Sequence, residues 1–250
     1  APLSYQEDWD NSGLQVGNRN AEIKAALLTV DVTESVVNEA ILLGCDLIIS
    51  HHPLLFRGLK QLTGSTPQER CVEQAIRHNI AIYSAHTSMD SYLHGVSGRM
   101  AEKLGVDNYR ILIPSAGDMQ VGLGVIGELQ EAMDNEAFVA HVANVFAAPS
   151  APLRWVEGAK KTVKKVAICG GAGAEFVEQA IAQGADAYIS ADFKYHELQS
   201  AYQRITVVDM DHWVSEHFTR EIFEELLSAH VTTYIAKTDD SPVRFWKQEY

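Results

Sequence analysis

The chain has 250 residues, 46% of them hydrophobic and 21% charged, which supports a packed core and excludes a disordered polymer. Its formal net charge of −13 argues against a general electrostatic hold on nucleic acid or on an anionic membrane. Apolar runs such as 25–30 are far too short to span a bilayer and no basic-then-apolar leader is visible, so a cytoplasmic protein without a membrane partner is expected.

In chain order, 24–32 reads as a strand, Glu34–Leu43 as a helix, and 46–50 as a short buried strand. Residues 67–78 then look helical, 80–84 extended and 95–104 helical. This alternation predicts α/β architecture. The stretch 113–160 reads as a small β/α excursion. Its strand is 122–129, its helix Asn135–Phe146, and 147–152 makes a turn-rich connection. The aromatic-rich 245–250 reads as a docked tail. The chain opens on Ala1-Pro2-Leu3-Ser4 without Met, which leaves room for native residues ahead of it. Cys45, Cys71 and Cys169 form no CxxC pair, so buried free thiols are expected and a thiolate zinc site is not.

The second half repeats the first. Val37, Ala40, Ile41, Gly44, Asp46, Ile49 and Ser50 match Val177, Ala180, Ile181, Gly184, Asp186, Ile189 and Ser190, each pair 140 residues apart. Each copy reads as helix, glycine C-cap, then strand. Downstream, 82–90 lies over 208–216 with an offset of 126. In both copies a strand-like run ends in a histidine, His86 or His212, and a carboxylate follows four residues later, Asp90 or Glu216. Two pseudo-symmetric α/β repeats are therefore expected, 1–112 and 161–250, on either side of the excursion, with their strand ends brought together.

The chemistry gathers at those strand ends, where α/β sheets place their ligands. Ile48-Ile49-Ser50 delivers His51 and His52, and Pro53 helps to end the strand. Adjacent strand residues point to opposite faces, so both imidazoles can serve one site only if the backbone turns. His212 and Glu216 stand one helical turn apart, on one face. Alone, each pair could be a solvated strand end or a capped helix turn. Together, His51, His52, Asp90, His212 and Glu216 point to two divalent metal ions, and the donors suit zinc, iron or manganese. A bridging Glu216 would hold the ions about 3.5–4 Å apart, and their surplus charge would attract a small anionic substrate to an acidic protein. His86 is either a sixth ligand or a donor that orients a carboxylate.

Other features admit two readings each. The loop 8–17 faces substrate or forms a structural Asx turn. Gly170, Gly171 and Gly173 form an anion-binding loop or simply pack tightly. Asp192, Lys194 and His196 follow the second repeat's strand, with Asp192 aligned on His52. They line the pocket as substrate or acid/base groups, or stand apart from it. His78, His94, His141, His217 and His230 join no constellation.

WDNSGLQVG at 9–17, SHHPL at 50–54, HTSMD at 86–90, CGGAG at 169–173 and DHWVSE at 211–216 together resemble the Nif-three-like dinuclear-metal family. Its bacterial members are often named GTP cyclohydrolase I type 2 homologs. The likeness covers nearly the whole chain and matches the short form, which lacks an inserted domain. It implies two intertwined repeats with mixed sheets. It also implies a toroidal homohexamer whose metal sites face an internal cavity, and ligand roles at His51, His52, Asp90, His212 and Glu216. The family's HTNLD is HTSMD here. Its glycine before the ligand histidine is Asp211, and an arginine common before the Ile-Gly of the middle segment is Val125. The expected activity is metal-dependent hydrolysis of a nucleotide or other phosphorylated small molecule. The alternatives are a non-catalytic metal-binding ring or metal-handling protein and, weakest at this net charge, a nucleic-acid binder.

Overall fold

A computed structural model describes the chain except residues 116, 147–151, 240, 245 and 247–250. A 3-10 turn at Leu3–Tyr5 leads into β1 (Gly13–Val16), β2 (Ala25–Thr29), α1 (Glu34–Leu43), β3 (Leu47–Ser50), α2 (Pro67–Arg77), β4 (Ala81–Ser84) and the single turn α3 (Thr87–Asp90). Next come α4 (Val96–Leu104), β5 (Val106–Ser115), β6 (Asp118–Asp134), α5 (Asn135–Phe146), β7 (Arg154–Val156), β8 (Thr162–Ala172) and α6 (Val177–Ala182). The chain closes with β9 (Ala187–Ala191), α7 (Tyr195–Ala201), β10 (Thr206–Met210), α8 (His212–Glu216), α9 (Thr219–Leu227) and β11 (Thr232–Ile235). Among the described residues no helix is long and apolar enough to cross a membrane. All three cysteines are buried free thiols.

The chain forms two compact units, 1–89 with 217–240 and 90–216 with 241–250. It leaves the first after Met89 and re-enters it at His217, so the units are intertwined along the sequence. In the first, five strands run in the order β1-β4-β3-β2-β11. The last four are parallel, and β1 is antiparallel at the edge. Leu27, Ile48 and Ile82 stand side by side across β2, β3 and β4 and pack against Val36, Val37 and Ala40 of α1 and Ala75 of α2. α1 starts where Thr33 Oγ1 accepts from Val36 N, and α2 where Thr66 precedes Pro67 and accepts from Glu69 N.

The second unit has six strands in the order β5-β6-β8-β9-β10-β7. Here β8, β9 and β10 are parallel, while β6 runs antiparallel to both β5 and β8. The sheet is therefore mixed. Its core is built around the fully buried Tyr188, with Ala167 and Val207 beside it. The excursion expected at 113–160 is thus no separate body: it supplies β6, which lies inside this sheet.

β5 itself was not anticipated, and β6 runs well beyond 122–129. Both strands are bulged, at Asp107/Arg110 and at Glu128/Met133, and Asn108 sits at φ 51°. A bulge breaks the two-residue alternation from which a strand is read. The expected connection at 147–152 lies outside the described residues except for Pro152. So does the expected tail at 245–250 except for Trp246, which is 94% exposed.

The duplication holds at the level of single hydrogen bonds. Gly44 (φ 67°) and Gly184 (φ 76°) each end a helix in the left-handed region, which glycine enters without a Cβ penalty. Cys45 N donates to Ala40 O (2.9 Å), and Ala185 N to Ala180 O (3.0 Å). The Asp46 carboxylate accepts from Lys24 N and Ala25 N, as Asp186 does from Lys164 N and Lys165 N. One detail is corrected. Ala81 N donates to Asp46 O and Thr206 N to Asp186 O, so the offset within the strands is 125. The single extra residue that makes it 126 falls between β10 and His212.

Candidate metal centre

In the first unit the backbone remains tied to β2 beyond the end of β3. His51 N donates to Thr29 O (3.2 Å) and His52 N to Val30 O (2.9 Å). Ser50 Oγ donates to His52 O (2.8 Å), which supplies the turn that two adjacent histidines need to face one site. Their ring centroids are 5.1 Å apart. His86, two residues past β4, lies 5.3 Å from the ring of His51 and 5.6 Å from that of His52. One ring nitrogen from each of the three lies within 4.8 Å of the other two, a spacing at which they could hold a metal ion.

Each of these rings is engaged at Nδ1. His51 Nδ1 lies 3.0 Å from Ala85 O, His52 Nδ1 2.9 Å from Asp31 Oδ1, and His86 Nδ1 2.8 Å from Asp10 Oδ1. A proton on Nδ1 donated to an oxygen leaves the lone pair on Nε2, the tautomer that a metal ligand requires. Asp10 is the buried hub of its loop. It accepts from Thr87 N (3.1 Å), Thr87 Oγ1 (2.6 Å) and Ser12 Oγ (2.8 Å) besides His86. Burial alone would raise its pKa, but the hydrogen bonds from His86, Thr87 and Ser12 outweigh it and hold the carboxyl well below its ordinary range. The loop 8–17 is therefore a hydrogen-bonded turn that also orients an imidazole. A cleft bordered by Asp31, Thr33, Leu54 and Gln68 opens at His52.

In the second unit, α8 begins directly after β10. Asp211 Oδ1 accepts from Val214 N (3.2 Å) and so caps the helix turn that carries His212 and Glu216. His212 Nε2 lies 3.1 Å from Glu216 Oε2, and His212 Nδ1 2.7 Å from Asp192 Oδ2. Glu216 is buried, and Asp90 is half-buried at the end of α3. Asp192 is held at φ 60°, next to Phe193, whose carbonyl accepts from the Arg154 guanidinium (2.8 Å). Arg154 also pairs with the buried Asp209, whose pKa burial raises even so.

Of the expected anion loop at Gly170, Gly171 and Gly173, two N–H donors are engaged within the fold. Gly170 N donates to Ser97 Oγ (3.2 Å) and Gly171 N to Ser215 Oγ (2.9 Å), so these donors are committed. What the glycines provide is room. A Cβ on Gly171, at φ 65°, would stand 2.2 Å from Glu216 Oε1, and one on Gly173 would stand 2.7 Å from Ser190 Oγ. Asp192 Oδ2 lies 2.7 Å from His212 Nδ1 and is placed to orient that ring. Lys194 and His196 are exposed and turn to Glu197 and Gln199 of their own helix. Val125 is buried in β6.

Asp10 and Asp31 were missed as orienting groups. Asp31 could have been found, since it too follows a strand end; 140 residues on, its counterpart is Gly171. For Asp10, which bonds a histidine 76 residues away, sequence spacing offered nothing.

Comparison with known proteins identifies the family. A profile of the Duf34/NIF3 family (NGG1p interacting factor 3) matches residues 1–242. The chain is 34% identical over 218 residues to a GTP cyclohydrolase 1 type 2 homolog of Clostridium acetobutylicum, covering 86% of this chain and 81% of that one. It is 32% identical to the protein of the same name in Clostridium perfringens, over 98% and 95% of the two chains. A solved Staphylococcus aureus hypothetical protein superposes with a TM-score of 0.89 at 26% identity, over 98% and 95% of the two chains. A Bacillus cereus protein related to NIF3 gives 0.86 at 25%, with the same coverage.

Proposed function

The chain belongs to the Duf34/NIF3 family, and from that premise we propose that it binds two divalent metal ions and hydrolyses a nucleotide or other phosphorylated small molecule. The observation that carries the reading is the trio His51, His52 and His86, each with Nδ1 engaged by an oxygen, so that donation from Nδ1 leaves the lone pair on Nε2. Imidazole and carboxylate donors fit zinc, iron or manganese. The residues that would hold the ions are His51, His52 and His86 in the first unit and Asp90, His212 and Glu216 in the second. His86, left open by the sequence, is assigned here as a ligand because its ring joins those of His51 and His52.

When bound, two divalent ions lower the pKa of water and offset phosphate charge. The protein's own residues do the rest. Asp10, Asp31 and Asp192 hold protons on Nδ1 of His86, His52 and His212. Gly171 leaves the space that Glu216 occupies. The cleft beside His52 offers room for a small anionic substrate. A cytoplasmic homohexamer is part of the same reading, as is a GTP-like substrate, suggested by the relatives' names.

The test is purified protein loaded with zinc, manganese or iron against a panel of nucleotides and phosphoesters. Turnover well above that of a His52→Ala, Glu216→Ala double variant is expected. No excess over the variant, together with rapid metal transfer to an apo acceptor, would favour the metal-handling alternative.

A further inference from the structure

Two large aromatic side chains of the first unit stand in solvent beside the histidines. Trp9 is 60% exposed and Phe56 is 48% exposed. Their ring centroids are 6.1 Å apart, and those of Trp9 and His86 are 6.0 Å apart, in edge-to-face contacts. Phe56 closes the group at 6.4 Å from His86. The two come from different loops that are tied together. Asn11 Nδ2 donates to Leu55 O (2.7 Å), and Leu55 N to Gln15 Oε1 (3.2 Å). Asp10, next to Trp9, is fixed by Thr87 and His86. A loop that holds a tryptophan largely in solvent by this many bonds keeps a costly apolar face in place, as binding sites do.

We propose that Trp9 and Phe56 form a stacking platform for a planar heteroaromatic ring carried by the substrate, set at the His86 edge of the metal centre. This rests on the metal reading above and narrows it, since a phosphorylated sugar without a ring would gain nothing from the platform. Every aromatic heterocycle has a face to stack, and edge-to-face packing on His86 and Phe56 holds the indole ready for it.

The experiment uses metal-stripped full-length protein and ligand-observed NMR, with adenosine and guanosine as probes and ribose 5-phosphate as the ring-free control. The nucleosides are expected to bind through their base protons, and ribose 5-phosphate not to bind. Trp9→Ala should weaken nucleoside binding about tenfold or more, from the scale of base–aromatic stacking. Trp9→Phe should restore most of it, which separates a stacking role from a folding defect. Wild-type protein without ring-dependent binding would overturn the proposal. So would a Trp9→Ala protein that binds as well as wild type, or one whose only change is its elution mass, which would make the face a contact between copies. Stacking needs no ion, so the metal content of wild-type protein reports separately on the metal reading.

Discussion

At the scale of single residues, the centre depends on groups that touch histidines and not on histidines alone. Asp10 and Asp31 set which imidazole nitrogen carries the proton. Asp10→Asn or Asp31→Asn should lower metal affinity about 10–100-fold, the usual effect of losing an orienting carboxylate, as read by competition with a chromogenic chelator. Unchanged affinity would mean that the rings are held by packing alone. Gly171→Ala introduces both strain at φ 65° and a collision with Glu216 Oε1. It should cost upwards of about 1 kcal/mol in urea unfolding and also lower the metal content. A loss of stability with full metal content would separate the two effects.

At the scale of elements, the duplicated helix–glycine–strand unit makes paired predictions. A Cβ on Gly44 or Gly184 would meet nothing within 4 Å, so Gly44→Ala and Gly184→Ala each carry only the left-handed backbone penalty, roughly 1–2 kcal/mol. Similar costs in thermal or urea unfolding are expected. Asp186 adds a pH dependence. Burial would raise its pKa, but Lys160 and the N–H groups of Lys165 and Lys164 outweigh it and lower the value. A folded pKa below the unfolded one contributes stability that is present above the unfolded value and lost as pH falls through the folded one. Asp186→Asn should therefore flatten the acid limb of the stability curve, at a cost of about 1–3 kcal/mol near pH 7 for the disturbed acceptor. An acid limb as steep as that of wild type would exclude this role. The duplicated unit was legible in the sequence because a glycine cap, a buried aspartate and an apolar strand recur at fixed spacing. β5 and the far half of β6 were not, because bulges and Asn108 interrupt the alternation that marks a strand. The ligand candidates were legible as strand-end residues. The orientation of their rings was not, because it depends on Asp10, Asp31, Asp192 and Ala85 O, which only folding brings into place.

At the scale of the whole molecule, the chain passes from one unit to the other between Met89 and Asp90 and returns after Glu216, so proposed ligands flank both crossings. Metal bound only by the folded chain would add to its stability. At a free metal concentration 100 times Kd, one site adds about 2.7 kcal/mol, so chelation should lower the melting temperature measurably. The most direct test of the central claim is metal analysis of untagged protein joined to an anomalous-scattering map of its crystals. Two ions per chain are expected, about 3.5–4 Å apart, within reach of His51, His52, His86, Asp90, His212 and Glu216. A map with no ion in reach of these side chains, or a metal content unchanged by His52→Ala and Glu216→Ala, would contradict it.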